Sequence, residues 1–571
     1  MKERTIRTLV VGSGCAGYNA ADCLAALGET ELALVTEDVL SGTSRNTGSD
    51  KQTYYKLSLA GDDGDSVGDL ARTLKKVDVN GDTALCEAAY SARCFYKLVS
   101  LGVPFPVNEY GEYAGYQTDH DTRRRATSAG PLTSRYMTEA LERSVKSRGV
   151  EILNRLLAFR VTTDDRGVTG LICYDTESRE FVYLRCAHLV LCTGGPAGLY
   201  RDRVYPESQF GMSGMAFEAG AEGANLDCWQ YGIASTAFRW NLSGSYQQVI
   251  PRYVSIDENG TEREFLAEAL GEKEAMRLTF LKGYQWPFDP AKVTGSSRVD
   301  LLVKAETDLG RRVYLDYTKN PRGFDFELLD TEATTYLSSC GAAGETPIER
   351  LRAMNEPAIE LYRSHGIDLY RDLLEIRVCA QHHNGGVAVD ENWQTRVPGL
   401  YVCGEAAGTF GHARPGGTAL NSTQVGSLRA AEHIIRHPRA VQCGGKAELP
   451  RLPAGDAAAT LARFQAEMSR AASFVREESA MRKLKSEMEA VLSDTVPASE
   501  TDPQLTARLR LRDICLTGRE VLSAMLAGGA AEDGILYTSR GISRREPARP
   551  LPERDLWFER VWKKYREEQN R

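Results

Sequence analysis

The first part of the chain shows, in turn, hydrophobic patterns typical of a β-strand and of an α-helix. Thr5–Val11 is a β-branched, apolar run, and after several glycines a helical spacing of apolar residues covers Tyr18–Leu27. A second predicted strand, Glu31–Thr36, follows that helix. Two later strands, Ala187–Cys192 and Gly399–Cys403, also run into glycines. The pattern predicts an α/β fold with a doubly wound sheet whose strands end in glycine turns.

The middle and the end of the chain show different patterns. Tyr246–Glu264 and Arg312–Tyr317 alternate in polarity and are bounded by turn residues, which indicates a mixed α+β insertion near residues 231–370. Beyond a break that contains glycine and proline, helical spacing covers Ala457–Leu492 and Leu505–Leu526. The C-terminal part is therefore predicted to be helical.

The composition is that of an ordinary globular protein and excludes several functions. The 78 acidic residues outnumber the 70 basic ones, which argues against a nucleic-acid partner. No apolar stretch approaches the roughly 20 residues that a membrane-spanning helix requires. The charged start Met1–Arg7 lacks the features of a signal peptide. We expect a cytoplasmic protein without direct membrane insertion, which would reach a membrane only through a partner.

The cysteines bear on metal and redox chemistry. None of the 13 cysteines forms a C-x-x-C pair, so iron–sulfur clusters, zinc ribbons and covalently attached haem lack their usual ligand spacing. A chain with this many cysteines and no signal peptide is typical of a reducing compartment. The sequence therefore predicts no metal site.

A dinucleotide-binding motif follows the first predicted strand. Gly12, Gly14 and Gly17, with Ala16 between the last two, form G-x-G-x-x-G, which lets the backbone approach a pyrophosphate at a helix N-terminus. Glu37 ends the second strand 20 residues beyond Gly17, where a carboxylate can accept hydrogen bonds from a ribose hydroxyl. Together these residues predict a Rossmann-like nucleotide site that holds either NAD or FAD.

Residues far along the chain favour FAD over NAD. Gly404 and Glu405 end the strand Gly399–Cys403 in a pattern that resembles the second FAD motif of flavoproteins with this fold. The glycine-rich segment after Glu405 leads, through Thr418, Ala419 and Leu420, into a predicted helix whose positive end would stabilise negative charge on a reduced flavin. We assign these three residues to FAD, which would be the only redox centre.

Further motifs resemble one family over nearly the whole chain. Thr193-Gly194-Gly195-Pro196-Ala197-Gly198-Leu199-Tyr200 is similar to T-G-G-x-G-x-x-Y, and Gly214–Ala221 is similar to G-M-A-x-x-A-G-A. Both motifs, in this order, belong to the flavoprotein subunits of succinate dehydrogenases and fumarate reductases, of which the chain resembles a divergent member. The resemblance also assigns Thr193 and Gly194 to FAD. It implies three parts: a discontinuous FAD-binding domain (1–230 and 371–445), a capping domain (231–370) and a C-terminal helical domain (446–571).

The resemblance implies a chemistry and two catalytic arginines. In the family, a hydride passes between flavin N5 and an alkene carbon, and an arginine of the capping domain delivers the proton. Arg298, in Ser297-Arg298-Val299-Asp300, corresponds to that arginine; its alternative role is that of a capping-domain salt-bridge residue. Arg414 corresponds to the arginine that holds a substrate carboxylate, for which a planar guanidinium is suited.

Two departures from the family pattern concern the substrate. The family's substrate histidine is replaced by Gln381, and His382 and His383 follow it as candidate catalytic residues. The family's H-P-T-G is replaced by Gly232-Ile233-Ala234-Ser235. These changes predict a substrate that is bulkier or less acidic than fumarate.

A third departure concerns attachment of the flavin. Ser44–Ser49 contains no histidine where membrane-bound relatives attach FAD covalently, so we expect noncovalent FAD in contact with Asn46, Thr47 and Gly48. Because covalent attachment accompanies succinate oxidation in the family, its absence favours the reductive direction.

Three functions remain open at this stage. The leading hypothesis is reduction of a C=C bond in a carboxylate or enone. The second is oxidation of an amino acid or amine, as in the related aspartate oxidases. The third is a non-catalytic flavin subunit that only transfers electrons. Because no haem, cluster or second dinucleotide motif is visible, electrons would come from a separate donor protein, reduced flavin or a quinol.

Overall fold

The computed structural model describes most of the chain. The described residues are 1–60, 63–75, 78–118, 121–442, 447–527, 535–538, 541–544, 550 and 563–569. The predicted domain boundary at 445–446 lies outside these ranges.

A five-stranded parallel sheet forms the centre of the fold. Its strands, in spatial order, are Leu400–Val402, His188–Leu191, Thr8–Val11, Leu32–Val35 and Glu151–Leu153. The central strand is buried along its whole length, as expected for a parallel strand covered on both faces. The predicted doubly wound α/β class is confirmed.

The predicted strand Thr5–Val11 is divided between two sheets. Lys2–Thr5 pairs with Glu180–Arg185, whereas Thr8–Val11 enters the parallel sheet. The division falls at Arg7, whose carbonyl accepts hydrogen bonds from the backbone N–H groups of Ala187 and His188. The second sheet has, in spatial order, the strands Lys2–Thr5, Glu180–Arg185, Gly167–Asp175 and Leu156–Asp164.

A six-stranded antiparallel sheet forms the capping part. Its strands, in spatial order, are Trp240–Asn241, Trp229–Ser235, Leu374–His383, Arg312–Asp316, Arg252–Ile256 and Glu262–Arg263. It has its own hydrophobic core, which includes Tyr246, Leu315 and Tyr362. The division of the chain at residues 231 and 370 stays a prediction, and this sheet extends from Trp229 to His383.

The first predicted C-terminal helix is two helices in the structure. Ala457–Ala471 and Glu478–Ser493 replace the single predicted helix, and no glycine or proline marks the break. Tertiary contacts stabilise the break between the two helices. Tyr200 donates a hydrogen bond to the Ala472 carbonyl, and Arg476 donates one to the Asp227 carbonyl. The next helix has the predicted bounds, Leu505–Leu526.

The remaining elements surround these units. A small antiparallel sheet has, in spatial order, the strands Gly386–Val387, Gly223–Ala224, Ile535–Thr538 and Gly541–Arg544. Two further strand pairs are Leu452–Pro453 with Thr495–Val496, and Tyr54–Tyr55 with Ala126–Thr127. The other α-helices are Cys15–Ala26, Thr43–Asn46, Val67–Leu74, Gly81–Ser100, Thr133–Ser147, Gly214–Glu218, Ser245–Gln248, Phe265–Leu270, Glu272–Leu281, Ser297–Asp308, Thr331–Ser339, Pro347–Ser364, Thr418–Arg436 and Lys564–Gln569. Within the described residues, no helix combines the length and the apolar character needed to cross a bilayer.

Candidate active site

The first glycine motif forms a tight turn that only glycine fits. Gly12 has φ +112°, and a Cβ there would lie 2.3 Å from the Cys192 carbonyl oxygen. A Cβ on Gly17 would lie 1.8 Å from the Gly12 carbonyl oxygen, so the helix can approach the strand only without a side chain. The helix begins after Gly14, which has no side chain to cap it, and the Cys15 backbone N–H donates to the Ser44 hydroxyl at 3.2 Å. This helix N-terminus is therefore suited to an anion.

Glu37 lies beside this turn and is already ion-paired. Its Oε1 accepts a hydrogen bond of 2.7 Å from Arg510, a residue of the helix Leu505–Leu526. Both Glu37 and Ala16 line a large cavity that begins at the turn. Sequence reasoning missed Arg510 because no motif links it to a nucleotide site.

The second glycine motif meets the first one in space. A Cβ on Gly404 would lie 2.9 Å from the Ala16 Cβ atom, so the two turns are in contact. Thr193, Gly194, Gly404 and Glu405 all line the cavity. Glu405 is half-buried and accepts hydrogen bonds from the Tyr205 hydroxyl and from the His383 backbone N–H. Burial raises the pKa of the Glu405 carboxyl to about 7.

The segment that was assigned to FAD near residue 46 is only partly at the cavity. Thr47 and Gly48 line it, but Asn46 does not. The Asn46 side chain is exposed and donates hydrogen bonds to the carbonyls of Leu40 and Gly42. This amide thus caps its own loop and lies outside the cavity lining, and its contact with FAD stays a prediction.

Arg414 lines the cavity, and part of its guanidinium is already hydrogen-bonded to neighbouring side chains. Nε and Nη2 both donate to Gln230 Oε1, at 3.2 and 2.5 Å, and Nε also lies 3.2 Å from Asn384 Oδ1. The Nε–Nη2 edge is the one that a carboxylate binds side-on. Burial lowers the pKa of Arg414 to about 10, so the side chain stays charged at neutral pH.

The three residues assigned to FAD after Arg414 have different positions: one supports Arg414, and two line the cavity. Thr418 starts the helix Thr418–Arg436; its hydroxyl donates to the Pro415 carbonyl and lies 3.3 Å from Arg414 Nη1. Ala419 and Leu420 line the cavity, whereas Thr418 does not. Thr418 is therefore placed as a support for Arg414.

His382 lines the cavity as a neutral imidazole. Its Nδ1 lies 2.9 Å from Asn384 Oδ1, and Asn384 Nδ2 donates to the Gly411 carbonyl. The Asn384 Oδ1 atom therefore accepts the hydrogen bond from His382. Nδ1 of His382 thus carries the ring proton, and Nε2 carries a lone pair. Nε2 is buried and has no hydrogen-bond partner among the described residues. Burial, together with the Arg414 charge, holds the pKa of His382 well below its usual range.

His383 is not brought to the cavity. Its ring stacks on Trp229 at 4.2 Å, and Nε2 lies 3.1 Å from the Leu226 carbonyl oxygen. Burial lowers the pKa of His383 to about 4. The pairing with Trp229–Ser235 shifts register beside these residues, so Gln381 and His382 both line the cavity, whereas the His383 ring packs on Trp229. The structure shows His383 in a packing contact, and its catalytic role stays a prediction.

Arg298 also lies outside the cavity. It occupies the first turn of the helix Ser297–Asp308, where Ser297 and Val299 are buried and Arg298 is exposed. The structure does not bring Arg298 to this cavity, and its role as proton donor stays a prediction. The cation that this part of the chain does present to the cavity is Lys292, six residues earlier, whose Nζ lies 3.8 Å from Asp289 Oδ2.

The cavity has room for a dinucleotide and a substrate. Its volume is about 1780 Å³, above the range of roughly 300–1,000 Å³ that is usual for a single small ligand. The two glycine motifs line one part, and Gln381, His382 and Arg414 line another. Several aromatic residues contribute to the wall, namely Trp229, Tyr231, Trp286, Phe288 and Phe474. The glycine turns, the helix N-terminus after Gly14 and Glu37 fit FAD.

Fold and site together define a flavin-dependent oxidoreductase. Residues 7–420 match the family model described as FAD binding domain. The chain belongs to this FAD-binding family, whose members include the flavoprotein subunits of succinate dehydrogenases and fumarate reductases, and FAD is its cofactor.

Relatives and solved structures agree with this membership. L-aspartate oxidase of Xylella fastidiosa is 26% identical over 440 residues, covering 76% of this chain and 75% of the relative. L-aspartate oxidase of Agrobacterium fabrum is 26% identical over 514 residues, covering 88% and 87%. E. coli quinol fumarate reductase FrdA aligns with a TM-score of 0.69 at 17% identity, covering 97% of this chain and 98% of that chain. Mycobacterium smegmatis Sdh1 aligns with a TM-score of 0.73 at 16% identity, covering 98% and 96%.

Proposed function

We propose that the protein oxidises an amino acid whose carboxylate is held by Arg414. The observation that carries this proposal is that Arg414 and His382 line the same cavity as both glycine motifs and share one acceptor behind it, Asn384 Oδ1. A carboxylate can replace Gln230 Oε1 on the Nε–Nη2 edge of Arg414. The names of the curated relatives, L-aspartate oxidases, support the same substrate class.

His382 has the protonation state that oxidation requires. Bound FAD supplies the acceptor for the hydride that leaves the α-carbon. The amino nitrogen must lose a proton as the C–N bond gains double-bond character, so an imino acid is formed. The neutral His382 ring, with Nδ1–H held by Asn384, offers Nε2 as the proton acceptor. Arg414 fixes the carboxylate and thereby orients the α-carbon.

The aromatic wall and the relatives favour different side chains on the amino acid. Trp286, Phe288 and Phe474 would pack against an apolar or aromatic side chain, which agrees with the expectation of a bulkier substrate. The relatives' names point to aspartate. The first substrates to test are therefore L-aspartate and L-phenylalanine.

Reduction of a C=C bond is the second candidate, and Lys292 favours it. This residue brings an ammonium group from the capping part to the cavity, where it could deliver the proton once assigned to Arg298. Arg414 would hold a carboxylate of the unsaturated acid in the same way. Electrons would then come from a separate donor, namely a protein, reduced flavin or a quinol.

Anaerobic spectroscopy separates the two candidates. For amino-acid oxidation, we expect L-aspartate or L-phenylalanine to bleach the visible flavin band of the oxidised holoprotein. His382→Gln should slow the bleaching by about 100-fold or more, because general base catalysis contributes roughly 10²–10⁴. His437→Gln, a change of an exposed histidine, and Lys292→Met should leave the rate unchanged.

The opposite pattern would favour C=C reduction. In that case amino acids leave the oxidised flavin unchanged, unsaturated acids restore the band of the reduced holoprotein, and Lys292→Met abolishes the recovery. A flavin that responds to neither class would contradict both candidates and support the electron-transfer subunit.

A further inference from the structure

A second chemical feature lies at the cavity beside the Arg414 segment. We propose that Asp78, Cys228 and His412 bind one divalent transition-metal ion, with Zn²⁺ preferred. One ligand atom from each residue lies within 4.8 Å of the other two. Thiolate, imidazole and carboxylate are the three ligand types that Zn²⁺ takes in proteins. The site is independent of the reaction proposed above.

The separations of the three ligand atoms are close to those of a tetrahedral site. His412 Nδ1 lies 2.8 Å from Asp78 Oδ2 and 3.4 Å from Cys228 Sγ, and Cys228 Sγ lies 3.9 Å from Asp78 Oδ2. Ligands about 2.0–2.3 Å from zinc at tetrahedral angles are roughly 3.3–3.6 Å apart. Shifts of about half an ångström would therefore bring all three atoms to bonding distance.

The other ring nitrogen of His412 has the partner that a metal-bound histidine usually has. Asp227 Oδ2 lies 3.4 Å from His412 Nε2, and this buried oxygen makes no other hydrogen bond among the described residues. A carboxylate that accepts the second ring N–H fixes the orientation of a ligating imidazole. Asp227 is thus a positioning residue, and Asp78, Cys228 and His412 are the ligands.

Hydrogen bonds to and from the backbone hold the ligand segments in place without a metal. Asn225 Nδ2 donates hydrogen bonds of 2.8 Å to the carbonyls of Asp78 and Phe410, so it joins two of the segments. The backbone N–H of His412 donates to Asp78 Oδ2 at 2.6 Å. A Cβ on Gly411 would lie 2.1 Å from the Asp78 carboxyl group, so glycine is needed for this approach.

The charges of the site are compatible with a cation. A divalent ion with Asp78, Asp227 and a Cys228 thiolate leaves one net negative charge, as does an imidazolium with the two carboxylates and a neutral thiol. The metal-free alternative is an ion-paired His412 between the two carboxylates. In that alternative Cys228 is a buried neutral thiol whose Sγ lies 3.4 Å from His412 Nδ1.

The position of the site indicates what the metal would do. His412 precedes Arg414 by two residues, and Cys228 precedes Gln230, the partner of Arg414, by two residues. Cys228, His412 and Arg414 all line the cavity. Three protein ligands leave a fourth position open, which is typical of a metal that binds water or a substrate group. The ion would take an anionic or carbonyl oxygen of a molecule bound in this cavity.

Metal analysis of the FAD-loaded protein tests the site. After incubation with ZnCl₂ and dialysis, we expect one zinc per wild-type chain, with one sulfur about 2.3 Å from zinc in X-ray absorption spectra. Cys228→Ser and His412→Asn should lower zinc affinity by at least about 100-fold, and Asp227→Asn by about 10- to 100-fold. Cys340→Ser, a change of a partly exposed cysteine in the capping part, is the matched control and should bind zinc normally.

FAD content and melting temperature of each variant, measured without zinc, show whether it has folded. The proposal is overturned if folded wild-type protein retains no zinc. It is also overturned if zinc is retained equally by Cys228→Ser, or if X-ray absorption shows no sulfur ligand.

Discussion

Arg414→Met is expected to reduce kcat/KM by about 100- to 1000-fold while FAD remains bound. Removing one partner of a buried, charge-assisted hydrogen bond costs about 2–5 kcal/mol, and each 1.36 kcal/mol is a factor of ten in rate. The guanidinium supplies both donors of the Nε–Nη2 edge, and nothing in methionine can replace them. Arg414→Lys should recover only part of the activity, because it keeps the charge and loses the planar pair of donors.

Arg298→Met is the matched control for that change. Both substitutions remove one arginine, but Arg298 is exposed and lies outside the cavity. We expect Arg298→Met to keep wild-type kcat/KM. Steady-state kinetics with the substrate found by the anaerobic tests measure both variants. Loss of activity in Arg298→Met with normal activity in Arg414→Met would reverse the assignment of the two arginines.

Gly17→Ala is expected to abolish stoichiometric FAD binding. The new methyl group would lie 1.8 Å from the Gly12 carbonyl oxygen, so the helix must move away from the glycine turn. The backbone N–H groups at the helix N-terminus would then leave their positions around the pyrophosphate. We expect FAD affinity to fall by at least about 100-fold, which is about 2.7 kcal/mol.

Gly64→Ala provides the control for Gly17→Ala. No atom lies within 4 Å of a Cβ at Gly64, and its φ is not in the left-handed region. This variant should bind one FAD per chain. Flavin absorbance after gel filtration gives the FAD content, and circular dichroism of both apoproteins shows whether they fold. A folded Gly17→Ala protein with full FAD content would contradict the role of this glycine.

The parts of the site that sequence predicted are those that depend on local chain geometry. The turn at Gly12 and Gly17 needs close backbone approach, and such turns leave a glycine spacing that can be read directly. Gly404 and Glu405 follow a strand in the same way. Arg414 was found because it stands in a motif of the family.

Sequence and structure differ in the placement of residues where tertiary packing decides which way a side chain points. Arg298 and Val299 are neighbours on one helix, and only the packing of that helix determines which of them is buried. Gln381 and His382 both line the cavity at an irregularity in the strand pairing, and His383 packs on Trp229; sequence does not reveal such an irregularity. Asn46 caps its own loop instead of reaching the cavity.

Some residues of the site carried no sequence signal. Arg510 reaches Glu37 from a helix more than 450 positions away in the chain. Asp78, Cys228 and His412 come from three distant segments, so no spacing rule for metal ligands applies to them. Phe474 and Arg476 line the cavity only because tertiary contacts break the predicted helix Ala457–Leu492.

A ligand-induced flavin difference spectrum tests most directly whether Arg414 holds a carboxylate in the cavity that contains FAD. Oxidised holoprotein is titrated with unreactive carboxylates such as acetate and benzoate, and the visible flavin absorption is recorded. We predict a saturable change in the wild type and in Arg298→Met, with affinity at least about 30-fold weaker in Arg414→Met, the loss of roughly 2 kcal/mol. An equal response in Arg414→Met and wild type, or no response in either, would contradict the account.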